Sequence, residues 1–131
     1  MKFTQDMEVG VKQIDEQHKE LVDRINAIVA LGLKSVSKEE TDKTIMLLGD
    51  YIIKHFSDEE ALMLKAGYPQ LKAHKELHKQ YIESFKTLRA EYRANGPSAA
   101  FTLQLNKAII EWIVKHIGSA DKDFAKFYKS I

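Results

Sequence analysis

Four stretches of this chain carry apolar residues at helical spacing, with polar or glycine-containing breaks between them. Residues 1–13 show no sustained period and read as an extended arm. Asp15 is placed to cap the first helix, in which Ile14, Leu21, Val22, Ile25, Ile28 and Val29 form a stripe that also passes through His18. That helix is expected to fade between Gly32 and Lys34. Ser37 and Glu40 make a capping box for a second helix that runs to about Ala66 and stops at Gly67. Tyr68-Pro69 restarts the chain where the missing proline donor costs nothing. The third helix puts Leu71, His74, His78, Tyr81, Phe85, Leu88 and Tyr92 on one side. Asn95-Gly96-Pro97 ends it and opens a fourth, with Phe101, Leu105, Ile109, Trp112, Ile113 and His116 facing inward. Gly118-Ser119 is expected to interrupt, leaving Asp121–Tyr128 as a short terminal helix. Connections this short make neighbours antiparallel, so the pattern predicts an all-α, up-down-up-down four-helix bundle with an N-terminal arm.

That topology places particular residues at one height. From a turn near residue 36, His18 lies 18 residues back and His55 lies 19 forward. From a turn near 67, Glu59 lies 8 back and His74 lies 7 forward; from one near 96, His78 lies 18 back and His116 lies 20 forward. At about 1.5 Å rise per residue the mismatches are a few ångströms. All five histidines of the chain, with Glu59 and Asp121, therefore fall in a single layer.

Bulk properties narrow what that layer can be. With 131 residues the chain forms one domain, expected over 1–131. Hydrophobic residues make up 44% and charged residues 30%, with six Gly and two Pro, which suits a folded helical protein. Twenty basic against nineteen acidic side chains give a net charge of +1, so no electrostatic case exists for nucleic acid or an anionic membrane. Cysteine is absent, which excludes thiolate ligands and iron–sulfur clusters. No apolar run follows Lys2 and none is long enough to span a bilayer, so a cytoplasmic protein is expected.

Taken one at a time, the polar members of the layer are ordinary. His18 alone would be a hydrogen-bonded core residue, Glu59 a solvated neighbour of a histidine, and Asp121 an N-cap. Together they interrupt otherwise apolar stripes, where an unpaired polar group is costly, and no histidine is left over. His55 with Glu59, and His74 with His78, are four residues apart and about 40° apart around a helix, so each pair can address one centre. His116 and Asp121 are five apart, about 140° on an unbroken helix, and a local break at Gly118 is expected to return the carboxylate inward.

Five nitrogens and two bridging carboxylates supply up to nine donor atoms, too many for zinc. With one shared oxygen they nearly satisfy two octahedral ions, leaving one open position, and this mixed set at high coordination suits iron, with manganese second. Leu21, Phe56, Ile113 and Ile117, with Trp112 packed over the site, describe a dry pocket for a small apolar molecule. Glu60, Asp58 and Glu76 are expected on wet faces, without a role.

The order His18, His55-x-x-x-Glu59, His74-x-x-x-His78, His116-x-x-x-x-Asp121 resembles the ligand pattern of the hemerythrin family, and its single-domain bacterial members most closely. The likeness covers nearly the whole chain, including Ile14-Asp15-Glu16-Gln17-His18-Lys19, Asp58-Glu59-Glu60, Gly67-Tyr68 and Trp112. It implies a non-haem di-iron centre with His74, His78 and His116 saturating one iron. His18 and His55 would hold the other, which keeps the open position, and Glu59 and Asp121 would bridge both beside an oxo or hydroxo group. It further implies reversible O2 binding, end-on and as hydroperoxide, for storage, delivery or scavenging, by a protein that is not an enzyme. Leu21, Phe56, Ile113 and Ile117 match the family's pocket lining. Phe3 departs from the Trp usual in the arm of bacterial members, which bears on arm packing and not on iron. A monomer is expected. Competing functions are sensing of O2 or nitric oxide through a separate signalling or redox partner, and a di-iron oxidase or peroxidase. The histidine-rich donor set disfavours the last of these.

Overall fold

In a computed structural model of the chain, residues 3–32, 38–96, 101, 104 and 111–131 are described. The first stripe forms α1 (Lys12–Gly32), which begins three residues before Asp15. Asp15 is therefore not the residue that starts the helix. Its carboxylate turns back to accept from the backbone amides of Val9 (2.7 Å) and Gly10 (3.1 Å), fastening the arm onto the first turn. The arm itself is not simply extended: Gln5–Met7 make one 3₁₀ turn, and Val9 and Val11 are buried.

The helix α2 (Lys38–Ala66) ends where the sequence places its stop. Gly67 takes φ +71°, and the amides of Gly67 and Tyr68 bond back to the carbonyls of Leu64 and Met63, closing the helix end by the left-handed turn that glycine permits. The helix α3 (Leu71–Asn95) follows, and its buried side is His74, His78, Tyr81, Phe85, Leu88 and Tyr92, as the stripe predicts. Phe101 and Gln104 are helical, and Trp112–His116 form α4. Ser37, Leu105, Ile109 and the side chains of Val29 and Trp112, assigned roles from sequence, lie outside the described residues.

The expected break at Gly118 does not occur. Ile117–Asp121 form a π-helical segment that joins α4 directly to α5 (Lys122–Ser130), with ordinary right-handed helical backbone angles at His116 and Lys122 on either side.

Cross-helix pairs give the directions. Gln17 meets Asp58 while Arg24 lies over the Tyr51 ring at 4.6 Å, so α1 and α2 run oppositely. Glu60 meets His78 while Asp42 meets Arg89, reversing α3 against α2. Tyr92 packs on Phe101 and His74 approaches Asp121, so the chain returns along α3 in the opposite sense. The molecule is an all-α antiparallel four-helix bundle. One apolar core runs through it, including Ile25, Ile52, Met63, Tyr81, Leu88 and Phe124. Each such fully buried large side chain contributes about 1.5–3 kcal/mol. Gly49 lets Phe85 of α3 lie against α2, since a Cβ there would fall 2.5 Å from the ring. Among the described residues no helix is long and apolar enough to cross a membrane.

Candidate metal centre

Within that core sits one polar layer. His18 comes from α1, His55 and Glu59 from α2, His74 and His78 from α3, His116 from α4 and Asp121 from the end of the π segment. All seven are at most 6% exposed. The π segment is what brings the last of them in. Its wider i→i+5 turn sets residues five apart nearly above one another, where an α-helix would leave them about 140° apart. Gly118 is not required for this, because its φ is not positive and a Cβ there would meet nothing within 4 Å.

The two carboxylates divide their oxygens. Glu59 turns Oε1 to His74 Nε2 (2.7 Å) and His78 Nε2 (3.3 Å), and Oε2 to His55 Nε2 (3.4 Å) and His18 Nε2 (3.9 Å). Asp121 turns Oδ1 to His74 Nε2 (3.0 Å) and His116 Nε2 (3.1 Å), and Oδ2 to His18 Nε2 (2.9 Å). Two groups of donor atoms result, each lying within 4.8 Å of one another and each able to hold a metal ion. One contains His74, His78 and His116, the other His18 and His55, and both include Glu59 and Asp121.

The chemistry of this layer asks for cations. His18 Nε2, His78 Nε2, Glu59 Oε2 and both Asp121 oxygens are buried close together yet without an aligned hydrogen-bond partner among the described residues. Burial pushes the Glu59 carboxyl well above its usual range, and the charge of Asp121 pushes it further. Burial would raise Asp121 as well, but the imidazoles of His116, His18 and His74 pressed against it outweigh that and hold it well below the usual carboxylate range. Two carboxylates cannot both ionise in a dry core without positive charge beside them. Burial, reinforced by neighbouring imidazoles, lowers His55 to about 3 and His78 to about 2, so both are neutral donors at ordinary pH.

Behind these histidines lie residues that the sequence reading left on wet faces. Glu60 is half-buried and its carboxylate accepts from His78 Nδ1 at 2.8 Å. Gln17 Oε1 lies 2.7 Å from His55 Nδ1, while Gln17 Nε2 donates to Asp58 at 2.9 Å and Lys54 donates to the same Asp58 oxygen at 3.0 Å. Phe56 stacks flat on the His78 ring, with centroids 3.8 Å apart. Holding Nδ1 fixes each ring and directs Nε2 inward. The signal for Glu60 and Asp58 was their i+5 and i+3 spacing from His55, which places them beside the polar layer but not within it. Glu76 is exposed, as expected.

A small cavity adjoins the layer, with about 10 Å³ open to the centre of a water-sized molecule, enough for roughly one such molecule. It touches His18 and His55 together, and of the other three histidines only His116. Leu21, Phe56, Ile113 and Ile117 line it, as read from sequence. Ile52 and Tyr81 line it too, and sequence reasoning had placed Tyr81 only on the core stripe of α3. The pocket is therefore not purely hydrocarbon: it includes a phenol, whose burial raises its pKa far above the usual value and keeps it protonated.

A helical bundle with five imidazoles and two shared carboxylates at its centre defines a histidine-rich metal-binding class of protein. The family model of the hemerythrin HHE cation binding domain matches residues 9–128, and the chain belongs to the hemerythrin family. Its relatives include a bacteriohemerythrin of Stenotrophomonas maltophilia, 28% identical over 125 residues, covering 95% of this chain and 79% of the relative. A bacteriohemerythrin of Methylococcus capsulatus is 32% identical over 111 residues, covering 82% of this chain and 80% of its own. A myohemerythrin of Theromyzon tessulatum is 31% identical over 114 residues, covering 87% and 82%.

Proposed function

We propose that this protein binds O2 reversibly at a non-haem di-iron centre. His74, His78 and His116 would hold one iron, His18 and His55 the other, and Glu59 and Asp121 would span the two. The observation that carries this reading is the division of the carboxylate oxygens, one of each facing the three-histidine group and the other facing the two-histidine group. A bound pair of irons would supply the two electrons for O2 uptake, with His18 and His55 holding the iron on the side that faces the cavity. The chain's own contribution is to seat and shield. Leu21, Ile52, Phe56, Ile113 and Ile117 oppose entry of water and charged species, and the cavity they line admits about one small molecule. Neutral His55 and His78 keep their Nε2 lone pairs available across the physiological range. Among the described residues, the polar groups lining the cavity are His18, His55, His116 and Asp121, all assigned to the irons, and the protonated Tyr81 phenol, which favours a carrier or store over an enzyme. Cytoplasmic residence, a monomeric state and a single domain over residues 1–131 belong to the same proposal.

The test is direct. Anaerobically reduced, iron-loaded protein should take up O2 with two irons per chain and return to its reduced spectrum under vacuum. Irreversible oxidation on first exposure would defeat the carrier reading, and a stoichiometry of one iron or none would defeat the di-iron one.

A further inference from the structure

We infer that Glu60 and the chain Gln17–Asp58–Lys54 are positioning residues that make the two halves of the centre unequal, an inference that rests on the di-iron reading. The hydrogen bonds determine which atom does what. The Asp58 oxygen that Gln17 faces also receives the Lys54 ammonium at 3.0 Å, and an ammonium can only donate, so that oxygen accepts. The end of Gln17 that faces it is therefore the amide NH2, and the end facing His55 is the carbonyl oxygen. His55 must then donate Nδ1–H to a neutral acceptor. His78 donates Nδ1–H to Glu60, whose carboxylate carries a full charge when ionised.

An anionic acceptor draws the Nδ1 proton more strongly and leaves the opposite nitrogen richer in electrons. The His78 Nε2 is accordingly the stronger donor, and it belongs to the three-histidine half. The two-histidine half is supported through a carboxamide instead, and its other ring, His18, has no hydrogen-bond partner for Nδ1 among the described residues. The half whose two rings both line the cavity is thus the more weakly held one, and the half that meets the cavity only through the His116 ring is anchored. The weak half is where a ligand can bind and leave; the anchored half keeps the pair in place while it does so.

The inference is tested on the diferrous protein under anaerobic challenge with a ferrous chelator. Wild-type protein should lose its two irons in two phases. Glu60→Gln removes the charge but keeps the shape, and should accelerate the slow phase by about 10–100-fold with the fast phase unchanged. Glu60→Asp should restore most of the slow phase. Gln17→Glu combined with Asp58→Asn puts an anion behind His55 and should slow the fast phase. In metal-free protein, the ¹⁵N shift of His78 Nδ1 should move toward that of a weaker hydrogen bond in Glu60→Gln, with thermal unfolding confirming the fold. Two irons that leave at rates unaffected by Glu60→Gln, with an unmoved ¹⁵N shift, would overturn the inference while leaving the di-iron reading intact. One iron or none in wild type would overturn both.

Discussion

The α2 helix and the C-terminal helix each deliver one histidine and one carboxylate to the same layer, and they do it with different backbones. On α2 the pair is His55 and Glu59, four apart, and a regular helix suffices. On the C-terminal helix the pair is His116 and Asp121, five apart, and the chain inserts a π turn between them. Asp121 ends up as buried as Glu59 and within 3.1 Å of three imidazoles. Spacing alone does not decide which residues can share a centre, because the backbone can change its period over a few residues when the surrounding contacts favour it.

The comparison breaks most severely at the carboxylates. Alanine at Glu59 or at Asp121 should reduce bound iron from two per chain to one or none, by elemental analysis after anaerobic loading. If the two variants retained both irons, the shared oxygens would not be spanning anything. Next comes insertion of one alanine after Ser119, which adds a residue beyond the one that the π turn absorbs. Every later residue then rotates by about 100°, so Phe124, now fully buried, leaves the core. A loss of about 3–5 kcal/mol is expected from that ring alone, read by denaturant unfolding of metal-free protein. Unchanged stability would mean that the turn can absorb a second extra residue.

A third test concerns acid, and it sharpens the contrast by placing the sensitivity on the regular helices. His55 of α2 and His78 of α3 accept a proton in the unfolded chain near pH 6.5, but in the folded protein only near about 3 and about 2. Between those limits the unfolded state binds more protons. The stability of metal-free protein should therefore fall as pH is lowered from 6.5, by about 1.4 kcal/mol per pH unit for each histidine. His55→Leu should flatten that dependence by one proton's worth. The smallest effect is reserved for Gly118→Ala. Helical backbone and open space predict a gain of up to about 1 kcal/mol and unchanged iron uptake. Loss of iron in that variant would show that the glycine shapes the turn after all.

Most of the bundle and the inner layer were legible because burial imposes a period. A helix must hide one stripe, and polar residues interrupting that stripe stand out, as His18, His74 and His78 do. Gly67 announced a helix end because few other residues tolerate its φ. The residues that escaped notice lie where the period says nothing. Glu60 and Asp58 sit beside the stripe on α2; Glu60 meets the second nitrogen of His78 on α3, and Asp58 reaches that of His55 only through Gln17 on α1. Gln17 precedes His18 yet serves His55, across the α1–α2 contact. Gly118 misled for the opposite reason. A glycine between two candidate residues suggests a break, whereas the actual device was a change of helical period that needs no glycine.

One peptide of the arm shows how such a helix is kept in register. The amide of Val9 is gripped by Asp15 of α1, and its carbonyl receives the ammonium of Lys129 at 2.9 Å. The last turn of α5 and the first of α1 are thereby latched through a single residue. Shortening the chain ahead of Lys129 would unfasten the arm at the far end of the sequence, and would free the helix that carries Asp121 to slide.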